Sequence, residues 1–327
     1  MMMITVHACD DNNVLASLPG HAHAGRVTTT APSSGGSLQW TALTALAPAT
    51  WGTTYIVTTH MLPEGHPLFA AFMRTLPPGL IAMLVSQLLP RGSWWWKSFV
   101  LGGLNMVAFF PLLFVAAQRL PGGVAATLGA VQPIIVAFLA VAVLHERLSG
   151  WRLAWGVVGV VGVALVVLGP RAAMDSLGVA AGVCGALAMA TGVVLTKKWS
   201  LPAGISAVAL AGWQLTAAGL LLAFPALVLE RPPSVITGHG WLGYAWLALM
   251  GALVSYSLWF AGIRRLPVTS TALLGLLSPL VAAALGALLA HESLGLEQAL
   301  GFAIAMAAMF CGQLLPGRPR VTRPRVH

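Results

Sequence analysis

Ten stretches of the chain are apolar over the roughly 20 residues that a bilayer crossing needs, and no water-soluble fold hides so many. Read between charged residues, they fall at 40–60, 68–89, 98–117, 121–143, 153–169, 177–196, 206–229, 241–261, 267–289 and 298–315. In hydrocarbon the backbone must satisfy its own hydrogen bonds, so such runs are helices. Composition agrees: 58% of the 327 residues are hydrophobic and 8% charged, whereas soluble domains carry roughly 25% charged residues. The expected class is an all-α polytopic membrane protein with ten transmembrane helices.

The formal charge of +9 invites a nucleic-acid reading, but the 17 Lys and Arg stand singly or in pairs between apolar blocks. No basic face can form on such elements, so nucleic acid is not an expected partner. Short loops rich in Lys and Arg stay in the cytoplasm. With the N-terminus inside, thirteen basic residues lie on inner segments and three on outer loops, Arg119, Arg171 and Arg231. Both termini are therefore expected in the cytoplasm of a multi-pass protein of the bacterial inner membrane. The seventeenth, Arg74, falls inside the second span. Residues 1–38 are polar and lack a charged segment followed by an apolar one, which suggests a disordered cytoplasmic tail rather than a cleaved signal. The Pro/Arg stretch 316–327 reads as a second cytoplasmic tail. Cys9, Cys184 and Cys311 have no CxxC spacing, so neither a disulfide framework nor a zinc site is expected, and no cofactor is implied.

The spans repeat. Residues 119–148 align without a gap to 265–294, with 12 of 30 positions identical, among them Pro133/Pro279, His145/His291 and Glu146/Glu292. A weaker match at an offset of 140 sets Arg74 opposite Gln214 and Gly79 opposite Gly219. Repeat 1 is read as 39–170 and repeat 2 as 171–315. Five crossings per half is odd, so the second half enters the membrane upside down. Charges follow that flip: Arg147 becomes Ser293 and Arg152 becomes Gln298, whereas Gln118-Arg119 becomes Arg264-Arg265. Inverted repeats belong to transporters whose substrate site lies near the midplane between the halves.

Trp51-Gly52-Thr53-Thr54-Tyr55 in the first span, Arg74 in the second, and Leu120-Pro121…Pro133…Glu146-Arg147-Leu148 recurring as Leu266-Pro267…Pro279…Glu292-Ser293-Leu294 carry a family resemblance. With the two five-helix halves, the chain resembles the drug/metabolite transporter superfamily, EamA type, over about residues 40–315. RGSWWWKS and LPGGVAATLGAVQP are similar to the PecM-like efflux branch, linked to pigment or metabolite export. The resemblance implies secondary transport, usually export, of small organic molecules such as amino acids, drugs or pigment-like compounds. One departure is Thr191-Gly192 opposite Trp51-Gly52, which makes any Trp contact with substrate one-sided.

Arg74 is the most informative side chain. An intramembrane charge normally faces a protein or water-filled interior, and a guanidinium binds a carboxylate bidentately. Snorkelling, or a tie to carbonyls freed at Pro77-Pro78, explains it about as well. Trp51, Tyr55, Trp213, Tyr256 and Trp259 are candidates to line an apolar cavity. Asn105, Gln132 and Gln214 are polar at membrane depth, where cavity lining and interhelical hydrogen bonding are comparably good readings. His145, Glu146, His291 and Glu292 end the fourth and ninth spans, as gating sites or ties to neighbouring arginines, with Pro133 and Pro279 inside those spans. Trp94-Trp95-Trp96, Trp151, Trp155 and Trp241 read as interface anchors. No GxxxxGK[ST] is present, which argues against ATP hydrolysis by this chain.

The leading reading is thus a metabolite exporter working by alternating access, with a small-molecule substrate and the lipid bilayer as partners and the oligomeric state open, a monomer included. A lipid-modifying membrane enzyme ranks second, weakened by the lack of a deep carboxylate pair, an HExxH or a Ser/His/Asp set. A channel-like component ranks third, since channels commonly assemble symmetrically around an axis.

Overall fold

A computed structural model describes residues 34–119, 129–147, 149–167, 175–200, 203–289 and 295–314. Every described element is helical. The helices form ten consecutive rods, each matching one of the apolar runs. The first is Ser34–Gly52 continued by Thr54–Met61, and it begins inside the stretch read as tail. The second is Pro67–Ser86, and the third joins Trp94–Gly102, Gly103–Ala108 and Phe109–Arg119. The fourth is described over Gln132–Leu144, the fifth is Gly150–Val167 and the sixth Ser176–Lys198. The seventh joins Ala207–Phe224 to Pro225–Glu230, and the eighth joins Gly238–Ala248, Leu249–Val254 and Ser255–Arg265. The ninth is broken into Val268–Leu274 and Leu277–Leu289, and the tenth is Leu296–Gln313. Four of these, at Pro67–Ser86, Ser176–Lys198, Ala207–Glu230 and Gly238–Arg265, are continuous helices long and apolar enough to cross a membrane.

The packing repeats as the sequence does. The second rod packs on the seventh, and the fifth on the tenth. Third against sixth is matched by eighth against first, and fourth against sixth by ninth against first. Each of these contacts thus maps onto one five rods later, which is the signature of a twofold relating the halves. Because each half crosses an odd number of times, that axis lies in the membrane plane. The second and seventh rods meet through paired glycines. A Cβ on Gly79 would stand 2.5 Å from Thr216 N, and one on Gly219 2.5 Å from Leu76 Cβ. Without a hydrophobic force between helices in lipid, such close backbone approach supplies the van der Waals contact that holds them.

Two features depart from the sequence reading. The third and eighth rods are not plain helices: each carries a π-helical segment, at 103–108 and 249–254, related by the repeat offset of 146. A π turn widens the backbone spiral and disturbs its ladder of hydrogen bonds, which favours binding sites and bends. Hydropathy is blind to it. Secondly, Trp94 is not an interface anchor. Trp95 and Trp96 are exposed, but Trp94 is buried against Trp213, with ring centroids 5.8 Å apart. Consecutive residues on a helix point about 100° apart, so a run of three tryptophans cannot share one environment. Elsewhere large apolar side chains face outward, Leu84 at 76% and Leu288 at 72% exposure, where lipid tails solvate them.

Candidate functional site

A cavity of about 320 Å³ opens where the first rod ends and the second begins. Pro63, Glu64 and Gly65 form its mouth, Thr54, Thr58, Ala70 and Leu247 its walls, and Arg74 and Phe110 its deep end. Arg74 lies seven residues past Pro67, about 10 Å along the helix, and is 8% exposed. Its Nη2 donates to the Gly251 carbonyl at 3.3 Å, and its guanidinium carbon sits 5.3 Å from the Phe110 ring centroid. The charge is therefore held by a backbone dipole on one side and a π face on another, an arrangement that lowers the cost of burying it. Thr54 Oγ1 on the same wall is buried and, among the described residues, has no hydrogen-bond partner.

Gly251 belongs to the π segment of the eighth rod, and its carbonyl accepts a second hydrogen bond, from Trp51 Nε1 at 3.0 Å. That bond fixes the Trp51 indole against Tyr256 and Trp259, each at 5.2 Å between centroids. Two of the residues singled out from the sequence, Trp51 and Arg74, thus meet on one main-chain oxygen, and two more, Tyr256 and Trp259, pack on Trp51 behind the cavity. Tyr55 occupies the same helical turn as Thr54, and its side chain lies outside the description.

Asn105 and Gln214 form a separate polar junction. Asn105, on the π segment of the third rod, is 2% exposed and donates from Nδ2 to Gln214 Oε1 at 2.8 Å, with Gln214 fully buried. Trp213, one residue away, points elsewhere: its Nε1 donates to Leu88 O at 2.7 Å, so it ties the seventh rod to the end of the second and stands away from the cavity. Gln132 begins the fourth rod, its Nε2 buried without a partner among the described residues. Pro133 is buried in the next position, and Pro279, half-buried, follows the break at Gly275 and Leu276 in the ninth rod.

At the rod ends, His145 caps the fourth rod with φ 55°, in the left-handed region, and Glu146 N bonds back to Ala140 O at 3.2 Å. His291 and Glu292 lie outside the described residues. Lys197 Nζ donates to Ile263 O at 2.6 Å and Leu266 O at 3.1 Å, tying the sixth rod to the carbonyl end of the eighth. On the cavity's face, Glu230 accepts from Leu68 N at 2.9 Å and Phe69 N at 2.6 Å, capping the second rod where its free amides point. The sequence carried no sign of Phe110 or Gly251, and it offered Thr54 only as part of the first-span motif. Glu230, just past the seventh run, gives no sequence signal of its role because its partners Leu68 N and Phe69 N are 162 and 161 residues away.

The profile of the EamA-like transporter family matches residues 38–168 and again 176–311. The chain belongs to that family. Protein PecM of Dickeya dadantii (strain 3937) is 41% identical to this EamA-type chain over 267 residues, 82% of the chain and 90% of that protein. The likeness bears out the resemblance to the PecM-like branch. The inner membrane transporter YedA of Escherichia coli (strain K12) is 27% identical over 291 residues, covering 83% of this chain and 90% of its own. A transporter of Synechocystis sp. (strain ATCC 27184 / PCC 6803 / Kazusa) is 27% identical over 292 residues, 82% and 88% of the two chains. One solved crystal structure superposes with a TM-score of 0.71 at 20% identity, covering 85% of this chain and 99% of its own; that likeness concerns the fold. Family and relatives together make the EamA-type chain a membrane transporter of small molecules.

Proposed function

We propose that the protein exports small organic metabolites bearing a carboxylate across the bacterial inner membrane by alternating access, with Arg74 as the anchor for the anionic end. The observation that carries this reading is the cavity that ends on a buried guanidinium. Lysine and arginine counting orients that cavity outward and both termini inward. Repeats 39–170 and 171–315 are then the two bodies that rock, and the chain acts as a carrier with no chemistry of its own. Gly251 O and Phe110 hold the guanidinium in place, so substrate binding need not order a long side chain. The apolar walls at Leu62, Ala70, Ala71 and Leu247 suit a substrate with an aliphatic body.

Replacing Arg74 tests the anchor. A hydrogen bond to a charged group contributes about 1.5–3 kcal/mol, equivalent to roughly 10- to 100-fold in affinity. Export, measured as metabolites gained in the medium of overexpressing cells, should fall at least tenfold for anionic products in Arg74→Ala. It should fall less in Arg74→Lys, which keeps the charge and loses the fork. Wild-type export of anionic products by both variants refutes the anchor.

A further inference from the structure

The Arg74 cavity and the Asn105–Gln214 junction are the same locus in the two halves. Arg74 and Gln214 correspond at the offset of 140, and Gly251 and Asn105 at 146. The contact from Arg74 to Gly251 therefore maps onto the contact from Gln214 to Asn105, each joining the second helix of one repeat to the π segment of the third helix of the other. Depth matches too. Gln214 lies seven residues past Ala207, as Arg74 lies seven past Pro67, so the two loci sit about 10 Å in from opposite faces.

One locus is open and the other shut. The face beside Gln214 is closed by bonds to main-chain carbonyls at rod ends: Lys197 to Ile263 and Leu266, Trp213 to Leu88, and Arg264 Nη1 to Ile205 O at 2.9 Å. Within the shut locus, Asn105 Oδ1 and Gln214 Nε2 are buried and, among the described residues, find no partner. Turning both amides over exchanges the atoms and still leaves one donor and one acceptor unused. A buried amide with unused hydrogen-bonding capacity is costly, and a merely structural tie has no reason to sustain it.

We propose that Asn105 and Gln214 form the second, inward-facing binding station of the transport path, closed in this state. It opens when the Arg74 cavity shuts, and takes a polar group that both accepts from Gln214 and donates to Asn105. The proposal rests on the alternating-access reading. It adds a station that is polar and uncharged, so it favours a hydrogen-bonding group and does not demand an anion.

The test uses full-length protein with Cys9, Cys184 and Cys311 replaced by serine, carrying single cysteines and treated with a membrane-impermeant trimethylammonium methanethiosulfonate. Gln214→Cys should react at least tenfold faster when reagent meets the face bearing Lys197 and Arg264, in inside-out vesicles, than from the opposite face. Asn105→Cys should behave alike, and serves if Gln214→Cys fails to accumulate. Ala218→Cys, buried one turn further on, is the reference for a site that stays closed. Thr58→Cys should react from the opposite face. If Gln214→Cys and Asn105→Cys are as inert as Ala218→Cys while Thr58→Cys reacts, the junction is a permanent tie and the station does not exist. Reaction of either from the cavity's own face overturns it equally. An inert Thr58→Cys would instead count against the outer cavity and the reading under it, a failure separate from that of the station.

Discussion

Gly192→Ala isolates the packing that holds the Asn105–Gln214 junction. An added Cβ would land on Asn105 Oδ1, 2.6 Å from Asn105 Cγ and 3.1 Å from Nδ2. Real Cβ contacts essentially never fall under 3.0 Å, so the amide must move. It cannot move without stretching its 2.8 Å bond to Gln214. Overpacking costs about 1–3 kcal/mol. A buried amide that loses its partner adds about 1–3 kcal/mol. Together these give about 2–6 kcal/mol, or roughly 3–9 °C in midpoint at an unfolding entropy of about 2.1 cal/mol/K per residue over 327 residues. The assay is thermal unfolding of purified protein in detergent, followed by tryptophan fluorescence. The same substitution is then made in an Asn105→Ala background, where the obstructing amide is gone. There it should cost under about 1 kcal/mol, so the two sites should couple by at least about 1 kcal/mol. Equal shifts in the two backgrounds would show that Asn105 does not meet Gly192, and the geometry of the junction would be wrong.

Other perturbations give smaller, distinct signals. Glu230→Ala removes the carboxylate that accepts from Leu68 N and Phe69 N, and should lower stability by about 1–2 kcal/mol in the same unfolding assay. Glu230→Gln, which keeps an acceptor, should lose less. Lys197→Met takes away the donor to Ile263 O and Leu266 O; the loss of about 1.5–3 kcal/mol should appear with faster thiol labelling at the face it seals, read on Gln214→Cys. Trp213→Phe deletes one N–H bond to Leu88 O, costs about 1 kcal/mol, and should speed thiol labelling of Gln214→Cys less than Lys197→Met does, since it removes one of the several bonds that close that face.

The spans and their repeat are written in the residues because the bilayer acts as the solvent. Span length, the confinement of charges to the ends and the odd crossing number per half are set residue by residue, so ten runs and a twofold repeat are legible without coordinates. Arg74 announces itself for the same reason, as a charge where charges are expensive. Which face of each rod meets a neighbour is another matter. Lipid and protein interior are about equally apolar, so hydropathy does not distinguish Leu84, which faces lipid, from Leu215, which is buried. Trp94, buried, and Trp95, exposed, differ in surroundings for this reason. The pairing of Asn105 with Gln214 across 109 residues, and the meeting of Trp51 and Arg74 on Gly251 O, had to wait for the tertiary structure. A main-chain carbonyl is present at every residue, and only the packing of the rods, with π turns at 103–108 and 249–254, decides which one becomes a ligand.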